Sequence, residues 1–250
     1  MTQFLISIMD ITPLSDSLSG DKALYDKAFK LVPGYRQQKI CNLKNDAAKC
    51  RSLAAGLLLN YTTRAFISGS VTGSLADNTP LAKKLPFPVT VSDAASTYMQ
   101  KYDYETACGT NGKPYFKDHA NLYFNLSHSG NFAVCIVAGM PCGIDVEGNR
   151  PFKPSVAKRF FSETEYHWIY DTENVSVQAE RFFRLWTLKE AYAKATGNGI
   201  AAEIHAASYV PDTDSDGLCF ADSETAAHFQ IKEAEYDRLR IAAVLSDSAF

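Results

Sequence analysis

The chain has 250 residues, 46% hydrophobic and 12% aromatic, enough to bury a core in one large domain or two small ones, which excludes a mainly disordered protein. A net charge of −3 with a pI near 6.0 argues against a general nucleic-acid binder acting through a basic surface, so any anion site must be a local pocket. The six cysteines form no Cys-x-x-Cys pair and Cys135 sits in an apolar run, the pattern of reduced thiols in a cytosolic protein.

Met1 to Asp10 has no basic start and an apolar run far too short to cross a bilayer, so it reads as a first buried strand of a soluble, cytoplasmic protein. Pro13 to Gly20 is turn-rich, Ala23 to Leu31 has helical spacing, and Pro33-Gly34 breaks it. A second helical pattern runs from about Lys44 to Phe66, with Ala54, Leu57, Leu58 and Tyr61 at core spacing. Arg36, Lys39 and Arg51 lie between and within these segments. Taken singly, each reads as a solvated surface charge. Residues 68–104 contain Pro80, Pro86 and Pro88, which forbid a long regular element, and Ala94 to Tyr102 suits a short helix; no chemistry is assigned there.

Gly112-Lys113-Pro114 is a turn, Tyr115-Phe116 starts an extended piece, and Leu122 to Leu126 has strand character. Ser127-His128-Ser129-Gly130 reads as a small polar loop before the apolar run Phe132 to Ala138. Gly139 to Gly143 is expected to turn that run into a hairpin with Ile144-Asp145-Val146-Glu147. Strand side chains repeat every second residue, so Asp145 and Glu147 share a face. Val156 to about Tyr170 is helical, and Gln178 to Thr196 is a longer helix, apolar around much of its circumference, stopped by Gly197-Asn198-Gly199. Strand-like runs follow at His205 to Val210, His228 to Lys232 and Arg240 to Leu245. The Asp212 to Gly217 loop lacks the closing glutamate of a calcium loop and reads as a solvated turn. The succession of strand, helices and strands occurs twice, which predicts two α/β lobes.

On the long helix, Trp186, Glu190 and Lys194 fall one turn apart along one stripe. A glutamate on a strongly buried helix needs a cation, a lysine or a proton. Two explanations stay open from the residues alone: a salt bridge to Lys194, or a divalent cation shared by Asp145, Glu147 and Glu190. His128 between two serines could satisfy a turn, or cradle a phosphate together with free backbone amides. A nucleophilic triad is the weaker idea, since no Gly-x-Ser-x-Gly elbow is present.

Gly112-Lys113-Pro114, Asn125 to Gly130, Gly143 to Glu147, Phe160-Phe161-Ser162 and Trp186 to Lys194 together resemble the surfactin-synthetase-activating type of 4′-phosphopantetheinyl transferase. The resemblance covers about Arg36 to Gly199. It implies an α/β fold built as a pseudo-dimer of two similar lobes, 1–139 and 140–250, in one monomeric chain with an internal pseudo-two-fold. It also implies transfer of the phosphopantetheine arm of coenzyme A to a serine of an apo acyl or peptidyl carrier protein, with release of adenosine 3′,5′-bisphosphate.

By the same resemblance, Asp145, Glu147 and Glu190 would hold Mg²⁺, or Mn²⁺, against the coenzyme A pyrophosphate. Glu190 would take the serine proton and Lys194 would serve the departing phosphate, with Asp145 and Lys194 also touching coenzyme A. Arg36, Lys39, Arg51, Ser52, Ser127 and His128 would meet the 3′-phosphate, and Lys113 with Pro114 the adenine side. The acidic carrier would dock near Lys153, Lys158 and Arg159. A non-catalytic binder of coenzyme A or of a carrier, and a Mg²⁺-dependent phosphohydrolase, rank behind.

Overall fold

The computed structural model describes residues 3–20, 22–69, 73–74, 87–96, 104–109, 111–148 and 150–247, so most of the proline-rich stretch after Ser68 lies outside the described residues. The chain opens with β1 (Gln3–Asp10), in which Phe4, Ile6 and Ile8 face one way and Leu5, Ser7 and Met9 the other. Helices α1 (Thr12–Ser19), α2 (Ala23–Leu31), α3 (Gly34–Cys41) and α4 (Asp46–Ser68) follow. The stretch read as turn-rich is therefore helix α1: Pro13 occupies its first turn, where a missing N–H costs nothing. Asn45 caps α4 by accepting from the Ala48 N–H.

Short pieces come next: β2 (Gly73–Ser74), β3 (Phe87–Pro88), α5 (Val91–Ser96), β4 (Thr106–Cys108) and β5 (Pro114–Phe116). Then come β6 (Tyr123–Ser129), β7 (Phe132–Ala138) and β8 (Cys142–Gly148). After α6 (Pro154–Phe160), α7 (Glu163–Tyr170), α8 (Val175–Thr196) and α9 (Ile200–Glu203), the chain finishes with β9 (Tyr209–Pro211), β10 (Leu218–Phe220), α10 (Ser223–His228), β11 (Phe229–Tyr236) and β12 (Leu239–Ser246). No helix among the described residues is long and apolar enough to cross a membrane.

One plan appears twice. In residues 3–138, β1 leads to the 23-residue helix α4 and then to the hairpin β6–β7, whose second strand lies antiparallel beside β1. In residues 142–246, β8 leads to the 22-residue helix α8 and then to the hairpin β11–β12, whose second strand lies antiparallel beside β8. Helix α4 packs on the Met9, Cys135 and Val137 face of its sheet, while α8 packs on the Ala242 and Val244 face of its own. The opposite faces meet each other through Phe4, Ile6, Ile8, Ile136, Ile144, Val146, Ile241 and Ala243. Each fully buried aliphatic side chain there contributes about 1.5–3 kcal/mol relative to exposure, so this central layer holds the two lobes together.

Four further sequence expectations are corrected. β7 and β8 form no hairpin, because β7 already has β1 on one edge and β6 on the other; β8 instead starts the second sheet. Ser127 to Ser129 are strand, not loop, and only Gly130 and Asn131 turn between β6 and β7. The helix expected from Val156 to Tyr170 is two helices: Ser162 and Glu165 form a reciprocal capping box that starts α7. Of the run from His205, only Tyr209–Pro211 is strand. Asp212 to Gly217 is the β9–β10 turn, in which Asp212 accepts from Ser215 Oγ at 2.6 Å.

Candidate functional site

Helix α8 lies directly on β8. A Cβ at Gly143 would stand 2.1 Å from the Ala191 carbonyl oxygen and 2.3 Å from the Ala195 nitrogen, so only glycine permits this approach. Every second residue of β8 faces the helix, which places Asp145 and Glu147 beneath the stripe carrying Glu190 and Lys194. Lys194 Nζ is 2.6 Å from Asp145 Oδ1 and 3.1 Å from Ser127 Oγ, and Ser127 Oγ donates to that same Oδ1 at 2.6 Å. Glu147 receives the Arg150 guanidinium at 2.7 Å and Ser129 Oγ at 3.2 Å. Arg150 lies 4.7 Å from the Phe183 ring centroid, a cation–π contact that anchors it to α8.

Electrostatics ties the three carboxylates together. Burial pushes the Asp145 carboxyl above its ordinary value, Glu147 adds to the push, and Lys194 and Ser127 oppose it. Burial also raises Glu190, followed by repulsion from Asp145 and then Glu147, against the pull of Lys194. Crowded hard-oxygen donors of this kind fit a divalent cation such as Mg²⁺. In the present arrangement Lys194 and Arg150 carry the countercharge, and among the described residues no three such side chains converge closely enough to form a complete metal cluster.

Lys189, the other lysine of the stretch, has a different job. It is 1% exposed, 3.1 Å from Glu165 Oε2, and donates to the carbonyls of Ile204 and Ala207 at 2.9 and 2.8 Å. Glu165 also accepts from the Tyr209 N–H at 3.0 Å, so this buried pair fastens α8 to α7 and to the chain entering β9. Burial lowers the Lys189 ammonium from its usual range, with Glu165 opposing that shift.

The other residues predicted to bind the 3′-phosphate belong to the N-terminal lobe, but Ser127, expected among them, faces Asp145 and Lys194 instead. Arg36 on α3 is 9% exposed and donates to the Ser52 carbonyl at 3.3 Å. Its stem runs over Gly56 of α4, where a Cβ would come 2.5 Å from Arg36 Cδ. The Ser52 hydroxyl is buried without a hydrogen-bond partner among the described residues. His128 points to the α4 side of β6, opposite to Ser127 and Ser129; desolvation and then the nearby Arg51 charge lower its pKa. Lys39 is exposed in the last turn of α3.

Lys113 donates to the Ala195 carbonyl at 2.6 Å, near the C-terminus of α8, and burial lowers its pKa. It lines, with Pro114, Tyr115, Phe124 and Gly197, a cavity of about 470 Å³. Lys153, Lys158 and Arg159 are exposed on and just before α6.

Sequence reasoning singled out Asp145, Glu147, Glu190, Lys194 and Ser127, and the structure brings these together. It missed the positions that hold them: Gly143, Asn125, Ser129 and Arg150. The first three lay inside quoted motifs at alternating strand positions, once Ser127 to Ser129 is read as strand.

Comparison with known proteins now bears on this geometry. Residues 141–244 match the 4′-phosphopantetheinyl transferase superfamily. The match takes in less than half of the chain. Similar proteins include the 4′-phosphopantetheinyl transferase Sfp of Bacillus subtilis, 35% identical over 106 residues that make up 42% of this chain and 47% of that one. The psf-1 transferase of Bacillus pumilus is 44% identical over 95 residues, 36% of this chain and 39% of its own. HetI of Nostoc is 47% identical over 107 residues, 40% and 43% of the two chains. The chain thus spans less than half the length of these relatives. A solved holo-[acyl-carrier-protein] synthase of Thermotoga maritima, at 20% identity and TM-score 0.34, covers 44% of this chain and 64% of its own, a likeness too slight to bear on the fold. The superfamily region contains Asp145, Glu147, Glu190 and Lys194, while the predicted anion-binding residues lie outside it.

Proposed function

We propose that this protein transfers the 4′-phosphopantetheine arm of coenzyme A to a serine of an apo acyl or peptidyl carrier protein, in a Mg²⁺-dependent reaction that releases adenosine 3′,5′-bisphosphate. The observation that carries the reading is the meeting of Asp145, Glu190 and Lys194 at the α8–β8 contact, inside the region that matches the transferase superfamily.

The reaction needs a serine hydroxyl deprotonated while a phosphorus–oxygen bond to the nucleotide breaks. Glu190, with its carboxyl raised by burial and by Asp145, is the stronger proton acceptor for that hydroxyl. Lys194, whose ammonium lies at Asp145 and Ser127, would neutralise or protonate the departing phosphate. Bound Mg²⁺, held by Asp145, Glu147 and Glu190, would offset charge on the pyrophosphate oxygens. Arg36, Arg51, Lys39, Ser52 and His128 would hold the 3′-phosphate, and the cavity beside Lys113 and Pro114 would take the adenine. The exposed cations of α6 would meet an acidic carrier.

The test is to incubate the protein with coenzyme A, Mg²⁺ and several apo carrier proteins and to weigh each carrier by mass spectrometry. The reading expects one phosphopantetheine added to at least one carrier. No addition to any would overturn it.

A further inference from the structure

Strands β6 and β8 run side by side at the junction of the two sheets without forming a backbone ladder, since β6 pairs with β7 and β8 with β12. Side chains do the bridging instead. Three alternate residues on one face of β6 each reach one point on β8. The Asn125 side-chain oxygen accepts from the Ile144 N–H at 3.1 Å, Ser127 Oγ donates to Asp145 at 2.6 Å, and Ser129 Oγ donates to Glu147 at 3.2 Å. Asn125 is 6% exposed and Ile144 fully buried, so the first of these bonds is buried between the lobes.

We propose that Asn125 and Ser129 are positioning residues of the carboxylate site: Asn125 fixes the height of β8 against β6, and Ser129 fixes the Glu147 carboxylate, so that Asp145 and Glu147 present their oxygens to one cation. The inference rests on the function proposed above. Its physical content is register. A strand that slips by one residue turns its helix-facing side chains to the opposite face, and among the described residues β8 has only β12 to hold it along a backbone edge. The Asn125 bond lands on the amide immediately before Asp145, which gives it leverage on that carboxylate. Ser129 acts at the other end of the pair. Glu147 is in reach of the Arg150 fork, and the serine gives it a second donor from the neighbouring lobe. Groups that orient the ligands of a metal typically change its affinity by about 10- to 100-fold when removed.

The experiment titrates Mg²⁺ into the protein saturated with coenzyme A and follows binding by calorimetry, for the wild type, Asn125→Leu, Ser129→Ala and Ser129→Thr, with unfolding temperature and transfer kinetics measured on the same samples. Asn125→Leu and Ser129→Ala should bind Mg²⁺ about tenfold or more weakly. Their kcat should fall while KM for coenzyme A holds, and Ser129→Thr, which keeps the hydroxyl, should recover wild-type affinity. Wild-type Mg²⁺ affinity in the Ala and Leu variants, even with a lowered unfolding temperature, would overturn the inference and leave the proposed function standing. If Asn125→Leu does not fold, the Ser129 pair decides alone. A wild type that binds no Mg²⁺ in this complex would overturn the inference together with the metal-dependent reading beneath it.

Discussion

Helices α4 and α8 occupy equivalent places in the two lobes, yet they cover different surfaces. Under α4 the strand β1 offers Leu5, Ser7 and Met9, and the helix answers with Leu53, Leu57 and Leu58, all buried. Under α8 the strand β8 offers Gly143, Asp145 and Glu147, and the helix answers with Glu190 and Lys194. The two lobes therefore share the plan of strand, long helix and returning hairpin and differ in the charged residues at one helix–sheet contact. Charge at such a contact is costly unless it is paired or binds something. The N-terminal lobe avoids that cost at this place and keeps its cations, Arg36 and Arg51, around the start of α4. On the proposed function, one lobe binds the anion and the other does the chemistry.

That division can be broken deliberately. Glu190→Gln keeps shape and removes the proton acceptor, so transfer should fall by about 100-fold or more while coenzyme A binding holds. Unchanged turnover would remove Glu190 from the chemistry. Lys189→Met leaves Glu165 buried without its partner and should cost about 3–5 kcal/mol in chemical unfolding, partly recovered when Glu165→Gln is added. Gly143→Ala pushes a methyl group into the α8 backbone and should cost about 1–3 kcal/mol or more, whereas Gly139→Ala, with open space around it, should be close to neutral. In the other lobe, Arg51→Ala should weaken coenzyme A by roughly tenfold, in the range of a lost charged hydrogen bond, and leave 3′-dephospho-coenzyme A little affected. Equal weakening would contradict the assigned phosphate. The smallest effect belongs to Ser7→Ala: its hydroxyl is buried without a partner among the described residues, so stability should rise by less than about 1 kcal/mol or stay put.

How much of this was legible beforehand depends on the range of the interaction. The helix α8, its glycine stop and the common face of Asp145 and Glu147 follow from local periodicity, and the structure agrees. Proximity of Glu190 to that face was readable because a buried charge demands a partner. Strand pairing was not readable in the same way. The apolar run Phe132 to Ala138 and the short turn after it suggested a hairpin with β8, but a strand has two edges, and both edges of β7 were claimed by β1 and β6, one of them from the far end of the lobe. The role of Lys189 was equally hidden, since Glu165 lies 24 positions away and looks, locally, like a helix cap. Arg150 followed the motif too closely to stand out from a solvated charge, and it is the fork on Glu147 and the Phe183 ring that distinguish it.

The most direct check of the proposed function follows both products of one reaction mixture over time, the modified carrier by intact mass and adenosine 3′,5′-bisphosphate by chromatography. The account predicts that the two accumulate one for one, and that neither forms when the carrier serine is replaced by alanine. Nucleotide released from coenzyme A without a carrier, or no nucleotide released with one, would contradict it.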